Sequence, residues 1–225
     1  MTPQDALAAL EQLGDAEKAV EMEAYHKIER RYLGVPSGTL DAHAKDWRQT
    51  LSLLDRLSLA QGLWETDVFE ARITAAKLLT QARLREDEEA SWQLIAKWYR
   101  DFDSWAIADH ACAAGAKRLV ADPTRLDRVE GWTRSEHMWT RRAALVITLP
   151  WAKVKTPKPA DIEARARILG WAASYANDPQ WFIQKAIAWW LRHLSKHDPK
   201  RVMAFLDAHG AAMKPFVRKE AQRLL

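Results

Sequence analysis

Apolar residues recur every three to four positions along most of this chain, which is the spacing of an amphipathic helix. No stretch alternates apolar and polar residues at a period of two, so we predict no sheet and an all-α fold. A first helix begins at Thr2-Pro3 and stops at Gly14, where a capping residue, a proline and a glycine mark its ends. Further helices are predicted over residues 15–33, 39–49, 52–61, 67–82, 86–100, 104–120, 124–131, 136–149, 160–176, 179–196, 199–208 and 214–224.

A repeat is the most informative feature of this pattern. Four predicted helices begin with an aromatic residue followed three positions later by a basic one: Phe69 and Arg72, Trp139 and Arg142, Phe182 and Lys185, Phe216 and Lys219. Trp105 belongs to the same series, and successive aromatic residues are 36, 34, 43 and 34 positions apart. The longest interval contains a basic, proline-rich segment, Pro150–Pro159, which we predict to be a loop. A period of about 34 to 47 residues built from helix pairs predicts a single HEAT-like α-solenoid domain over residues 1–225.

The composition narrows the class of protein further. Gly and Pro contribute 8 and 9 of the 225 residues, which argues against disorder and against a Gly- and Pro-rich β-sheet protein. No apolar run has membrane-spanning length and residues 1–5 do not look like a secretory signal, so we expect a cytoplasmic protein without membrane contact. Cys112 is the only cysteine and the histidines lack paired ligand spacing, so we expect no metal and no cofactor.

Charge is distributed unevenly along the chain. Residues 1–110 hold 13 Lys and Arg against 20 Asp and Glu, a net of −7, whereas residues 111–225 hold 21 against 10, a net of +11. A basic half of this size favours a polyanionic partner such as nucleic acid, although an unevenly charged solvated surface has the same composition. Basic residues at equivalent repeat positions would line a concave face that suits a phosphate backbone. The alternative is that these Arg and Lys side chains are solvated or pair with neighbouring acids.

The Trp105 repeat differs from the others because it carries an acid in place of the basic residue. Asp109 follows Trp105 by four positions, so both side chains lie on one helical face. A carboxylate on a nucleic-acid surface repels phosphates, which indicates another use, such as stabilising positive charge that develops during a reaction. A structural salt bridge to an arginine is the alternative.

Trp189 is the second candidate for a functional site. It shares a helical face with Phe182 and Lys185, whereas Trp190 is turned by about 100° and is predicted to pack inward. The indole faces of Trp105 and Trp189 can hold a cation, although aromatic residues at helical spacing are usually part of a core. Other tryptophans are assigned to the core: Trp47, Trp64, Trp92, Trp98 and Trp171.

Several segments resemble the bacterial DNA alkylation repair glycosylases of the AlkD type, which are HEAT-like-repeat proteins. The most specific is FIQKAIAWWLR, which runs from Phe182 to Arg192. The others are WTRRAA from Trp139, SWAIAD from Ser104, RKEA from Arg218, MEAY ending at Tyr25 and YLGV ending at Val35. The resemblance covers roughly residues 20–225. It departs from the family at Ala106, where members often carry a second acid, and at Ser37-Gly38-Thr39, where they often carry arginines.

The resemblance implies that Trp105, Asp109 and Trp189 occupy a catalytic cleft, that Arg142 contacts DNA there and that Tyr25 lies nearby. It implies a monofunctional glycosylase that hydrolyses the N-glycosidic bond of cationic N3- or N7-alkylated purines without flipping the base. The expected partner is double-stranded DNA containing such purines, bound in the nucleoid by a monomer. The repeat adds three DNA-contact candidates, Arg72, Lys185 and Lys219. The alternative is a non-catalytic HEAT-like module that binds DNA or a protein.

Overall fold

The computed structural model describes residues 1–84 and 88–224, which fold into two compact units, Met1–Ala121 and Asp122–Leu225. The helices of the first unit are α1 (Pro3–Gln12), α2 (Ala16–His26), α3 (Ser37–Thr50), α4 (Leu53–Glu65), α5 (Phe69–Leu78), α6 (Glu88–Trp98) and α7 (Trp105–Ala121). A single solenoid domain over the whole chain stays a prediction.

The second unit also consists of helices, some of them short and others long. These are α8 (Leu126–Trp132), α9 (Met138–Val146), α10 (Leu149–Lys153), α11 (Pro159–Ser174), α12 (Trp181–Ser195), α13 (Pro199–His209) and α14 (Pro215–Ala221). Proline stands in the first turn of α11, α13 and α14, where it lacks only an N–H that would have no helical partner. Residues 1–84 and 88–224 contain no strand, which confirms the all-α prediction.

Each unit has two layers of helices. In the first unit α3, α5 and α7 pack side by side, and α1, α4 and α6 form a second row against them. In the second unit α12 packs between α9 and α14, with α8, α11 and α13 outside. The repeated aromatic residues stand at or next to the first residue of α5, α7, α9, α12 and α14, as the repeat predicted.

Tryptophan forms much of the core. The five tryptophans assigned to packing are all buried, and Trp190 is also fully buried, which confirms those predictions. Trp64 and Trp98 stack with their ring centroids 4.3 Å apart. Leucine and alanine fill the space between the two helix rows, and small alanines allow the helices to approach closely.

The predicted helix over residues 15–33 is wrong in its second half. The helix ends at His26, because Lys27 adopts a left-handed conformation with φ 56°. Residues 27–36 then form an irregular loop, and the buried Glu70 carboxylate accepts the backbone N–H groups of Leu33, Gly34 and Val35 at 2.9, 2.7 and 3.2 Å. A distant side chain therefore supplies the hydrogen bonds that a continued helix would have supplied.

The second unit holds a loop in a related way with a neutral group. Gln184 on α12 is buried, and its amide donates to the carbonyl oxygens of Tyr175, Ala176 and Asp178 at 3.2, 3.0 and 3.0 Å. Its side-chain oxygen accepts the Lys214 N–H at 3.1 Å. Glu70 near the start of α5 thus fixes the loop that leads into α3, and Gln184 near the start of α12 fixes the segments that lead into α12 and α14.

Two further boundaries differ from the sequence prediction. The predicted helix 136–149 is divided, since α9 ends at Val146 and a short α10 begins at Leu149. The predicted loop Pro150–Pro159 is accordingly helical up to Lys153 and irregular only over residues 154–158. Arg165 holds this turn, because its guanidinium donates to the carbonyl oxygens of Trp151 and Val154 at 2.8 and 2.5 Å. Residues 86 and 87, which open another predicted helix, lie outside the described residues.

Candidate functional site

Helix α7 presents an indole and a carboxylate one turn apart. Trp105 and Asp109 are both partly exposed, whereas the residues between and after them are buried: Ala106, Ile107, Ala108, Ala111 and Cys112. The helix therefore buries one face against α5 and α6 and leaves Trp105 and Asp109 at the margin. Ala106 is buried, so an acidic side chain at this position would point into the core.

An aromatic cluster surrounds Trp105. The His26 ring lies 5.4 Å from the Trp105 ring and 4.5 Å from that of Phe69, centroid to centroid. Tyr25 is 70% exposed and meets Trp105 edge to face at 6.1 Å. Burial lowers the pKa of His26, so its imidazole is neutral and packs as an aromatic ring. The structure thus brings together Tyr25 and Trp105, which the sequence suggested, and adds His26, which the sequence analysis had not considered.

The Arg72 side chain forms an ion pair and a hydrogen bond inside the first unit. Its Nη2 lies 2.9 Å from Asp67 Oδ1, its Nε donates to the Trp64 carbonyl at 3.1 Å, and its guanidinium lies 5.0 Å from the Trp64 ring centroid. Arg30 shares Asp67 with it and also binds Asp103 at 2.5 Å. The residue is buried, so this member of the repeat fits the alternative in which the basic residue pairs with an acid.

The second unit places its basic repeat residues beside aromatic rings. The Arg142 guanidinium lies 5.7 Å from the Trp139 ring centroid, and Lys185 Nζ lies 5.5 Å from that of Trp181. The aromatic rings form a continuous series from α9 to α14, with adjacent centroids 4.7, 5.0 and 5.9 Å apart in the order Trp139, Phe182, Trp181 and Phe216. Arg142 is buried, whereas Lys185 is partly exposed.

An open cavity lies at the α14 end of this aromatic series. It has a volume of about 800 Å³, and its lining combines two aromatic rings with three cations, Trp181, Phe216, Lys185, Lys219 and Arg223. Glu220, which pairs with Arg192, and Gln222 complete the lining. Trp181 is 50% exposed, and Lys219 is exposed. Exposed rings beside cations suit a ligand that carries both flat bases and phosphates. The sequence repeat had identified Lys185 and Lys219 here, but not Trp181, which precedes the repeated aromatic residue.

Trp189 lies on α12 and is partly exposed, unlike its buried neighbour Trp190. Its ring nitrogen donates a hydrogen bond to His193 Nε2 at 2.9 Å. Burial, with the nearby charges of Lys153 and Arg192 adding to it, lowers the pKa of His193 to about 4. The imidazole is therefore neutral at pH 7 and can accept this bond.

Residues 1–84 and 88–224 show neither a metal-binding cluster nor a helix that could span a membrane. They contain no group of three histidine, cysteine or acidic side chains that could hold a metal ion. None of the helices in this part of the chain combines the length and apolarity needed to cross a bilayer.

A family comparison agrees with these features. The model of the family described as DNA alkylation repair enzyme matches residues 6–225. The chain belongs to this family. A comparison with curated proteins gave no match. Membership in the family supports a role in alkylation repair for the chain, and with it DNA as the substrate.

Solved structures share the fold. A predicted DNA alkylation repair enzyme from Enterococcus faecalis is 21% identical with a TM-score of 0.76, covering 94% of this chain and 96% of that one. AlkD2 from Streptococcus mutans is 18% identical with a TM-score of 0.67 over 100% and 99% of the two chains. The protein smu.31 from Streptococcus mutans UA159 is 20% identical with a TM-score of 0.64 over 84% and 92%. The helical-repeat fold predicted from the sequence is thereby confirmed.

Proposed function

We propose that the chain is a monofunctional DNA glycosylase that hydrolyses the N-glycosidic bond of purines alkylated at N3 or N7. The observation that carries this proposal is the pair on α7, where the Asp109 carboxylate lies one helical turn from the Trp105 indole and both are partly exposed. Membership in the alkylation repair family supports the substrate class. The aromatic and cationic surface of the second unit supports a polyanionic partner.

The proposed chemistry needs a carboxylate but no second acid to protonate the leaving base. An N3- or N7-alkylated purine already carries a positive charge, so it leaves as a neutral base when the C1′–N bond breaks and the bonding electrons pass to the base. Positive charge then develops on the deoxyribose, as in glycoside hydrolysis generally. We propose that Asp109 stabilises this charge and orients a water whose oxygen bonds to C1′ and whose proton is released. Trp105 and Trp189 would contact the cationic nucleotide through their ring faces.

DNA contacts follow from the exposed cations. Lys185 and Lys219, with Tyr25 on the first unit, are the proposed contacts to the sugar-phosphate backbone, since their side chains reach solvent. Arg142 is buried beside Trp139, so we propose that it supports the DNA-binding surface from below. Arg72 is left out of this surface because it is paired inside the first unit. The proposed enzyme acts as a monomer on double-stranded chromosomal DNA in the cytoplasm, without flipping the base and without a cofactor.

The decisive experiment is Asp109→Asn, with Asp46→Asn on the exposed side of α3 as the matched control. Duplex DNA containing 7-methylguanine is incubated with each variant, and released base is measured by chromatography. We expect base release to fall at least about 100-fold in Asp109→Asn, in the range seen when one group that stabilises transition-state charge is removed. Duplex affinity should stay equal or rise slightly, because a charge that repels phosphate is lost.

The outcomes separate the two functions. Full base release by Asp109→Asn at an unchanged melting temperature would refute the role of this carboxylate. A wild-type protein that binds the duplex but releases no base would favour the non-catalytic binding module. A joint loss of stability and duplex affinity in Asp109→Asn would identify a structural salt bridge instead.

A further inference from the structure

We propose that His193 is a positioning residue for Trp189, holding the indole in one orientation by accepting its ring N–H. This inference rests on the proposed function, in which the face of Trp189 contacts the alkylated nucleotide. His193 itself touches neither base nor sugar in this proposal. It would act only through the ring that it orients.

The geometry of α12 provides the contact. Trp189 and His193 are four residues apart, so their side chains lie one above the other on the same face. The Trp189 Nε1 to His193 Nε2 distance is 2.9 Å, and the ring planes are inclined at 46° with their centroids 6.3 Å apart. An indole offers one donor and no acceptor, so this bond uses its entire hydrogen-bonding capacity. A ring held at its nitrogen cannot turn about χ2 without breaking the bond.

The contact requires a neutral imidazole. Nε2 accepts only when it carries no proton, because an imidazolium has two donors and no acceptor. Burial is the largest cause that opposes protonation of His193. The charges of Lys153 at the end of α10 and of Arg192 and Lys196 at the end of α12 add to it, and His197, whose own pKa is lowered, contributes least. The acceptor therefore stays available at neutral pH.

A neutral His193 also fits the charge of the proposed substrate. The alkylated base is cationic, and an imidazolium beside Trp189 would repel it. The same neutrality that lets His193 hold the indole thus leaves the indole face free to attract a cation. A lysine or arginine at position 193 could do neither, although both are common near the end of a helix.

The test compares His193→Phe, which keeps a ring but removes the acceptor, with His193→Gln, which retains an acceptor. His197→Phe is the matched control, since His197 lies four residues further on and makes no contact with Trp189 in the described structure. The ring N–H resonance of Trp189 is assigned by NMR from its absence in Trp189→Phe. We expect this resonance to shift in His193→Phe, to stay in place in His197→Phe, and in the wild type to move as the pH falls through about 4.

Kinetics provide the functional readout. We expect the single-turnover rate of 7-methylguanine release to fall roughly tenfold in His193→Phe, within the loss that a misplaced group causes, while the duplex Kd changes less than about twofold. His193→Gln should recover part of the rate. An unmoved resonance in His193→Phe, or an unchanged rate where Trp189→Phe is slow, would overturn the proposal. If the wild type releases no base, the proposed function fails, and the position and titration of the Trp189 resonance still decide whether His193 holds the ring.

Discussion

The two units use their cations differently. Residues 1–121 hold 15 Lys and Arg against 20 Asp and Glu, whereas residues 122–225 hold 19 against 10. In the first unit the buried cations Arg72, Lys77 and Arg118 are each paired with an acid, namely Asp67, Asp41 and Glu88. In the second unit the Arg142 guanidinium and Lys185 Nζ lie beside tryptophan rings, as the Arg72 guanidinium does beside Trp64. At equivalent repeat positions the acidic first unit therefore has the buried, ion-paired Arg72, whereas the basic second unit has the partly exposed Lys185 and the exposed Lys219.

A sequence repeat predicts the position from which a side chain projects, whereas the residues around it decide which contacts it makes. Arg72 and Lys185 each follow an aromatic residue by three positions, near the start of α5 and of α12 respectively. Asp67 stands next to the first of them in a left-handed turn with φ 58°, and no such acid binds the second in the described structure.

Removing the carboxylate that fixes the first unit's loop should have the largest effect on stability. Glu70→Ala leaves three buried N–H groups without an acceptor, and we expect the free energy of unfolding to fall by about 3 to 5 kcal/mol. Denaturant unfolding measures the change. Glu21→Ala, on the exposed side of α2, is the control and should change stability by less than about 0.5 kcal/mol. A loss below about 1 kcal/mol in Glu70→Ala would show that water replaces the carboxylate.

The corresponding change in the second unit should be smaller because the lost group is neutral. Gln184→Ala removes the donor to three carbonyl oxygens and the acceptor of one N–H, and we expect a loss of about 2 kcal/mol. The same unfolding experiment measures it. Equal losses in Gln184→Ala and Glu70→Ala would mean that charge contributes nothing to the difference between the two loops.

Substitution of an ion-paired and of an exposed basic residue should separate effects on stability from effects on DNA binding. Arg72→Met should lower the free energy of unfolding by about 2 kcal/mol and leave the salt dependence of duplex binding unchanged. Lys219→Met should leave stability unchanged, weaken binding at every sequence and reduce the slope of log K against log salt by about 1. Thermal melts and fluorescence anisotropy at several salt concentrations measure both. The reverse assignment of effects would refute the comparison of the two units.

One histidine in each unit should make the Tm depend slightly on pH, and in the same direction. Burial is the main cause that lowers the pKa of both His110 on α7 and His193 on α12 to about 4, from an ordinary value of 6.5. Their stabilising contribution is therefore complete above pH 6.5 and is lost as the pH falls through 4. We expect the Tm to fall across this window and the fall to be shallower in His110→Gln and in His193→Gln. His209→Gln, on α13, is the control and should melt like the wild type at each pH.

Periodicity predicted most of the fold because most helices here are set by local signals. Prolines, capping residues and regular apolar spacing lie within the helices that they define, as at Thr2, Asp198 and Pro215. The helix over residues 15–33 failed because its end depends on Lys27 in a conformation that usually calls for glycine or asparagine. Its continuation was then replaced by hydrogen bonds to Glu70, a residue 35 or more positions away.

The candidate site was predictable where it follows the repeat and not where it follows contacts between distant segments. Trp105 and Asp109 were found from the aberrant repeat, and their partial exposure agrees with a surface role. His26 was missed because it lies in a segment without a repeat and joins Trp105 only through the fold. The only sign of His26 in the sequence was that it directly follows Tyr25. Trp181 was missed because the repeat points to Phe182, whereas the more exposed ring is that of Trp181, one residue earlier.

The loop bound by Glu70 also has a consequence for exchange with solvent deuterium. Amide protons in a segment without helix or strand ordinarily exchange within the time needed to record a first spectrum, because such segments open locally. The amides of Leu33, Gly34 and Val35 are instead held by a carboxylate at the start of α5, in the interior of the first unit. They can exchange only when α5 separates from the loop. Their exchange rates should therefore match those of the α5 amides and report the global opening of the unit from within its most irregular segment.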